Sequence, residues 1–148
     1  MLLFTRSRKA AKPRRRSTYL KTSDELNLIS RDIVNLALRI HVKLGPGMLE
    51  SVYEMVLARD LTRQGFQVER QKAISFDFEG LWFDDAFRVD LVVERCIAIE
   101  IKSVETLGKA HEKQLLTYLK LLDFRLGFLL NFGAPMMKDG IKRLVHRL

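Results

Sequence analysis

Residues 87–103 read FRVDLVVERCIAIEIKS. Two runs rich in β-branched and aliphatic residues flank a short charged segment, a pattern typical of a buried β-hairpin. Side chains alternate between the two faces of a strand, so the apolar faces of the two runs coincide in only one register. That register pairs Val93 with Ile97, Leu91 with Ile99 and Val89 with Ile101, and leaves residues 94–96 as the loop.

Ionisable residues, among them Asp90, Glu100 and Lys102, lie inside these mainly apolar strands. The predicted register places Asp90 opposite Glu100 and Lys102 opposite Arg88. Neighbouring carboxylates repel each other and burial raises their pKa values further, so a positive charge must compensate them. The residues alone leave two alternatives open. One is an ion cluster closed by Lys102 and Arg88, and the other is a divalent cation such as Mg²⁺, which prefers oxygen ligands.

The rest of the chain predicts one α/β (α+β) domain with a mixed central sheet flanked by helices. Apolar residues at three- and four-residue steps predict helices, and a period of two predicts strands. In chain order the predicted elements are a helix at residues 23–44, a helix at residues 48–64, short antiparallel strands within residues 66–83, the hairpin, a helix at residues 108–122 and a strand at residues 126–132. Trp82 and Phe83 lie in a predicted strand, and we expect them in the core.

The net charge of +8 is concentrated at the N-terminus. Eight lysines and arginines precede the first acidic residue, Asp24, and the remaining residues carry eighteen basic and eighteen acidic side chains. We therefore expect a basic disordered tail at residues 1–22 and a folded domain at residues 23–148. A basic arm can contact phosphates, so the run Arg14, Arg15 and Arg16 is a candidate nucleic-acid contact.

The single cysteine, Cys96, excludes a disulfide framework and favours a reducing, cytoplasmic setting. No segment approaches 18 uncharged apolar residues, so we expect no membrane span. The N-terminus lacks the charged-then-apolar order of a secretory signal. The three histidines are scattered without the paired spacing of a zinc site, and we expect none.

Two motifs resemble a known family. Asp90 followed by Glu100-Ile101-Lys102 resembles the PD-(D/E)XK nuclease superfamily, and GMLESVY at residues 47–53 is similar to the signature of the GxxExxY proteins within it. The resemblance extends over about residues 24–145 and implies a restriction-endonuclease-like αβββαβ core.

The resemblance implies a metal-dependent phosphodiester hydrolase. Asp90, Glu100 and the backbone carbonyl of Ile101 would bind Mg²⁺ or Mn²⁺, and Glu50 would complete the ligand shell or hold a water molecule beside it. Lys102 would lower the pKa of the attacking water or stabilise the charge of the transition state. Gln114 and Tyr118 of a helical Q-x-x-x-Y motif would orient the site or contact the nucleic-acid backbone. Tyr53, which shares a helix face with Glu50, would support the site through a hydrogen bond.

These features favour a nuclease that acts on nucleic acid, with DNA preferred over RNA as the substrate. The alternatives are a catalytically silent module that binds nucleic acid or protein on the same fold, and a structural domain whose ion cluster specifies the fold. The intact set of Glu50, Asp90, Glu100 and Lys102 favours the enzyme, because a binding module has no reason to keep such a cluster. A domain of this size would need a homodimer or a protein partner to span duplex DNA.

Overall fold

The computed structural model describes residues 21–147 and arranges them as three helices packed on a five-stranded mixed sheet. Residues 1–20, with the candidate contacts Arg14, Arg15 and Arg16, lie outside the described residues. The elements are α1 (Ser23–Leu44), α2 (Glu50–Arg63), β1 (Val68–Phe78), β2 (Leu81–Val93), β3 (Ile97–Lys102), α3 (Lys109–Leu122), β4 (Leu126–Asn131), a 3₁₀ turn (Met137–Gly140) and β5 (Ile141–Val145). The expected α/β (α+β) fold class is confirmed, and β5 is a strand that the sequence pattern did not predict.

A capping box begins α1. The Thr22 hydroxyl accepts a hydrogen bond from the N–H of Glu25 at 3.1 Å, and the Glu25 carboxylate accepts one from the N–H of Thr22 at 3.0 Å. The bond from the Thr22 N–H lowers the pKa of Glu25. Gly45 ends the helix with a φ of 69°, a conformation that glycine adopts without strain.

α2 begins at Glu50, two residues later than predicted. Met48 and the following residue stay in the loop because the N–H of Met48 donates to the Tyr53 hydroxyl at 3.0 Å. That hydroxyl donates in turn to the carbonyl of Gly45. The loop between the two helices is therefore tied to the first turn of α2, which carries Glu50.

The strand order in the sheet is β1-β2-β3-β4-β5, with β3 and β4 parallel and the other neighbours antiparallel. The two predicted hairpin pairs nearest the loop are confirmed: Val93 with Ile97 and Leu91 with Ile99. The third predicted pair, Val89 with Ile101, is wrong because the ladder between β2 and β3 ends at Leu91. The two strands diverge beyond that point.

β2 is one strand of 13 residues, where the sequence pattern predicted two shorter strands. Its register with β1 shifts at Ser75, which faces residues 84–86. Beyond this bulge the two strands project as a ribbon, and no residue from 75 to 88 is buried. The expectation that Trp82 and Phe83 lie in the core is wrong, because Phe83 is 44% exposed and Trp82 is only half-buried.

Apolar side chains cover both faces of the sheet. Leu91 and Ile99 pack with residues of α1 and α2 on one face, and Val92 packs with residues of α3 on the other. Val89 also lies on the α3 side, although strict alternation predicts it beside Leu91. The alternation of β2 therefore breaks at Asp90. Within residues 21–147, no helix has the length and apolar content needed to cross a membrane.

Candidate active site

The carboxylates of Asp90 and Glu100 lie together where β2 and β3 diverge. Beyond the last ladder pair, the N–H of Asp90 donates to Oε1 of Glu100 at 3.0 Å, and the N–H of Ile101 donates to Oδ2 of Asp90 at 2.8 Å. Each carboxylate thus takes the place that a backbone carbonyl has in a regular ladder. The strands separate without leaving these N–H groups unpaired, and the two carboxylates are held close to each other on strand backbone.

Burial raises the pKa of both carboxyl groups. Glu100 is 5% exposed, and burial, followed by the charge of Asp90, raises its pKa to about 8. Burial also raises the pKa of the half-buried Asp90, and the charges of Glu54 and Glu50 add to the increase. The N–H bonds and the charge of Lys102 oppose these increases without cancelling them. Ionisation of both groups would therefore place negative charge at a site that its surroundings only partly balance.

Arg88 does not join the cluster that the hairpin register predicted. It pairs with Ala73 across β1, and its guanidinium contacts the carboxylate of Asp85 at 2.8 Å on the exposed side of the ribbon. The placement of Lys102 opposite Arg88 is therefore wrong, because the two strands have already separated there. Lys102 lies at the end of β3 and is half-buried, and it forms no ion pair with any residue that the structure describes.

Glu50 lies at the start of α2, with its side chain directed at the end of β3. Its Oε2 accepts a hydrogen bond from the N–H of Ser103 at 3.1 Å, and the Ser103 hydroxyl donates to the carbonyl of Met48 at 3.1 Å. The charge of Glu50 contributes to the raised pKa values of Asp90 and Glu100. The first turn of α2 thus faces the carboxylate pair, and the exposed Glu50 carboxylate lies at the solvent side of the site.

Tyr53 acts on the loop before Glu50 and not on the carboxylates. It is fully buried, and its ring stacks on Phe132 with the ring centroids 4.3 Å apart. Its hydroxyl holds Gly45 and Met48, as described above. Tyr53 therefore fixes the position of the first turn of α2.

α3 approaches the carboxylate pair from the other face of the sheet. Tyr118 is buried, and its ring contacts Phe87 with the centroids 5.3 Å apart. Burial, followed by the charges of Glu100 and Asp90, raises the pKa of Tyr118 to about 12, so the hydroxyl keeps its proton at neutral pH. Gln114, one turn earlier, is exposed and makes no side-chain hydrogen bond to the described residues.

Two further residues, which sequence analysis did not identify, contact the site. Glu54 is 6% exposed and accepts hydrogen bonds from Arg70 at 3.1 Å and from the side chain of Gln71 at 2.8 Å. Gln71 also donates to Oδ1 of Asp90 at 3.2 Å. The sequence carries a signal for Glu54, because it follows Glu50 by one helical turn. It carries none for Gln71, whose contacts depend on an irregular backbone in β1.

The chemistry of Asp90 and Glu100 fits a hard divalent cation. Each carboxylate accepts one backbone N–H and keeps a second oxygen that the backbone does not engage, and the raised pKa values show that added positive charge is favourable. Among residues 21–147, however, no three acidic, histidine or cysteine side chains are grouped closely enough to hold an ion. The described residues therefore bring two carboxylates together at this site.

A comparison with protein families matches residues 27–144 to the PD-(D/E)XK nuclease superfamily. The matched range covers most of the chain and contains Glu50, Asp90, Glu100 and Lys102. Searches of curated proteins and of solved structures gave no match.

Proposed function

We propose that this chain, which belongs to the PD-(D/E)XK nuclease superfamily, is a metal-dependent nuclease that hydrolyses phosphodiester bonds in DNA. The observation that supports this function best is the interlocked pair of Asp90 and Glu100, two carboxyl groups held close to each other at a site where burial raises the pKa of both. Two such carboxylates are unfavourable in a purely structural role, because burial and repulsion both oppose their ionisation.

The residues that would hold Mg²⁺ or Mn²⁺ are Asp90, Glu100 and the backbone carbonyl of Ile101, with Glu50 completing the shell or holding a water molecule. Bound there, a divalent cation supplies charge stabilisation for phosphoryl transfer and lowers the pKa of a water molecule. The chain itself holds the carboxylates in place through the two crossed N–H bonds. Tyr53 fixes the turn that carries Glu50.

Lys102 and the residues of α3 suit a phosphate ligand. The Lys102 ammonium is free of ion pairs within the described part of the chain, so it is available to stabilise charge that develops on the phosphate. The Tyr118 hydroxyl, which stays protonated, can donate a hydrogen bond, and the exposed Gln114 can contact the nucleic-acid backbone. A homodimer or a protein partner would extend the contact with duplex DNA.

The alternative is a silent module that binds nucleic acid or protein on the same fold. One observation favours it: the crossed N–H bonds already occupy one oxygen of each carboxylate, and a purely structural latch would do the same. The two functions differ in whether the remaining oxygens bind metal and support turnover.

Incubation of the purified chain with labelled single- and double-stranded DNA and RNA tests the function. We expect DNA cleavage in Mn²⁺ or Mg²⁺ and none in chelator. Glu100→Gln should abolish it, while the matched control Glu112→Gln, which removes a half-buried carboxylate of α3 that contacts Lys142 at 3.4 Å, should not. Cleavage of RNA alone would change the proposed substrate. Cleavage that survives in Glu100→Gln, or is absent from the wild-type chain with every substrate, would overturn the proposal.

A further inference from the structure

Gln71 joins a buried carboxylate of α2 to the carboxylate pair. Its side-chain nitrogen lies 2.8 Å from Oε1 of Glu54 and 3.2 Å from Oδ1 of Asp90, and donates to both. A primary amide carries two N–H donors, so one side chain serves both acceptors at once. The Gln71 amide is therefore a bridge between α2 and β2 that does not depend on the backbone ladder.

An irregular backbone in β1 makes this bridge. In the register of β1 with β2, Gln71 lies between the pairs of Arg70 with Leu91 and Lys72 with Val89, at the level of Asp90. It has a φ of 52°, a left-handed conformation that residues other than glycine rarely adopt. In a regular strand the side chains of Arg70 and Gln71 would point to opposite faces, yet both reach Glu54. An unfavourable backbone conformation of this kind persists only where surrounding contacts impose it, and such positions cluster at functional sites.

Glu54 holds the amide from the side away from Asp90. Its carboxylate is 6% exposed, and each oxygen has its own donor, Arg70 at Oε2 and Gln71 at Oε1. The carboxylate cannot rotate without breaking both hydrogen bonds. The position of the Gln71 amide is therefore set by α2 before the amide contacts Asp90.

We propose that Gln71, held in place by Glu54, is a positioning residue that fixes the plane of the Asp90 carboxylate. The N–H of Ile101 alone holds Oδ2, and the terminal torsion of an aspartate is broad, so a single bond leaves Oδ1 free to move. The bond from Gln71 to Oδ1 removes that freedom. This inference rests on the proposed function, because it makes the bridge responsible for presenting Asp90 to a divalent cation.

A set of methionine variants tests the bridge in the metal-free protein. Gln71→Met and Glu54→Met each remove one of the two side chains of the bridge. Arg70→Met is the matched control, because Arg70 donates a hydrogen bond to the Glu54 carboxylate but makes none to Asp90. A looser Asp90 should release the N–H of Ile101, so we expect its hydrogen exchange, measured by NMR in chelator, to quicken about tenfold in the first two variants. Exchange in Arg70→Met should match the wild-type chain.

The same variants should differ in their affinity for Mn²⁺, measured by calorimetry without nucleic acid. Residues that orient a ligand typically contribute about 10- to 100-fold to metal affinity, so we expect a weakening of at least about tenfold in Gln71→Met and Glu54→Met. If Glu54 acts through Gln71, the double variant should bind no more weakly than Gln71→Met alone. Additive effects would show that Glu54 acts separately and would overturn its assigned role.

The variant Gln71→Gly distinguishes the loss of the hydrogen bond to Asp90 from a loss of folding stability. Glycine adopts the left-handed conformation without strain, so this variant should fold at least as well as the other Gln71 variant and still lose the bond to Asp90. Ile101 exchange within twofold of wild type in both Gln71 variants would overturn the inference. A wild-type chain that neither binds Mn²⁺ nor cleaves nucleic acid would instead contradict the proposed function, and the exchange rates would still decide whether the bridge positions Asp90.

Discussion

Asp90 and Glu100 are close because each accepts a backbone N–H from the strand of the other. The sequence identified both residues from their unusual place in apolar strands, and alternation placed them opposite each other. It did not predict that Arg88 would lie outside the cluster with Asp85 as its partner. The difference matters because the closed ion cluster with both Lys102 and Arg88 does not form when Arg88 pairs with Asp85.

The variant Asp90→Asn distinguishes a metal site from an ion cluster that is purely structural. Removal of one of two repelling carboxylates should leave the stability of the metal-free protein unchanged or raise it by about 1 kcal/mol. Free Mg²⁺ at about ten times its dissociation constant should stabilise wild type by about 1.4 kcal/mol, a rise in Tm of about 3–6 °C, and should not stabilise the variant. Thermal melts of both proteins in chelator and in Mg²⁺ check this.

The opposite stability changes would identify a structural ion cluster. A loss of about 3–5 kcal/mol in metal-free Asp90→Asn, together with a wild-type Tm that does not respond to Mg²⁺, would mean that the carboxylate compensates buried positive charge.

Glu100 predicts a pH dependence of stability in chelator. Its pKa of about 8 in the folded protein lies above the ordinary value of 4.5, so the folded state binds the proton more tightly than the unfolded state does. The stabilisation is therefore complete below the ordinary value and is lost as pH rises towards 8. A single proton limits the slope to about 1.4 kcal/mol per pH unit.

Urea unfolding of wild type and Glu100→Gln across this pH range measures the effect. The glutamine variant should lose less stability than wild type as pH rises, because it has no proton to release at this position. Parallel pH curves for the two proteins would show that Glu100 titrates near its ordinary value.

At the scale of elements, hairpin alternation predicted the register of β2 and β3 from their loop to the pair of Leu91 with Ile99. It failed beyond that pair because the strands diverge there, at the level where Gln71 on the neighbouring strand takes a left-handed conformation. Neither feature can be predicted from residues 87–103 alone. Local periodicity predicts a strand and its faces, whereas the point at which two strands separate depends on contacts with a third element.

The hydrogen bonds of the loop between α1 and α2 predict the effect of a variant at Tyr53. Tyr53→Phe keeps the ring that stacks on Phe132 but removes the hydroxyl that holds Gly45 and Met48. We expect the free energy of unfolding to fall by about 1–3 kcal/mol, because two hydrogen bonds disappear and their partners become less well satisfied. Chemical unfolding measures the change.

Tyr118→Phe is the matched control for this loop. Its hydroxyl has no hydrogen-bonding partner within the described residues, so its removal should change stability by less than about 0.5 kcal/mol. Equal destabilisation in the two variants would show that the hydroxyl of Tyr53 does not hold the loop.

For the whole molecule, the charge distribution predicts separate effects on binding and chemistry. Residues 1–20 carry basic side chains and no acidic ones, while the site depends on residues of the sheet and of α2. Removal of residues 1–20 should therefore reduce the salt dependence of DNA binding, by about 0.9 in the slope of log K against log salt for each phosphate that the tail neutralises. Single-turnover cleavage at saturating protein should stay within about twofold.

Binding isotherms at several salt concentrations check this effect. A truncated chain with the slope of the full chain would show that the tail neutralises no phosphate. A large drop in saturated cleavage would show instead that the tail takes part in the chemistry.

The projecting ribbon of β1 and β2 has a consequence for folding cooperativity. A two-stranded ribbon without a buried face is marginally stable by itself, and no residue from 75 to 88 is buried. Its tip should therefore open and close many times while the rest of the domain stays folded. A glutamate-specific protease at low dose should cut first at Glu79, in the turn of the ribbon, and the nicked protein should keep the thermal transition of the intact chain.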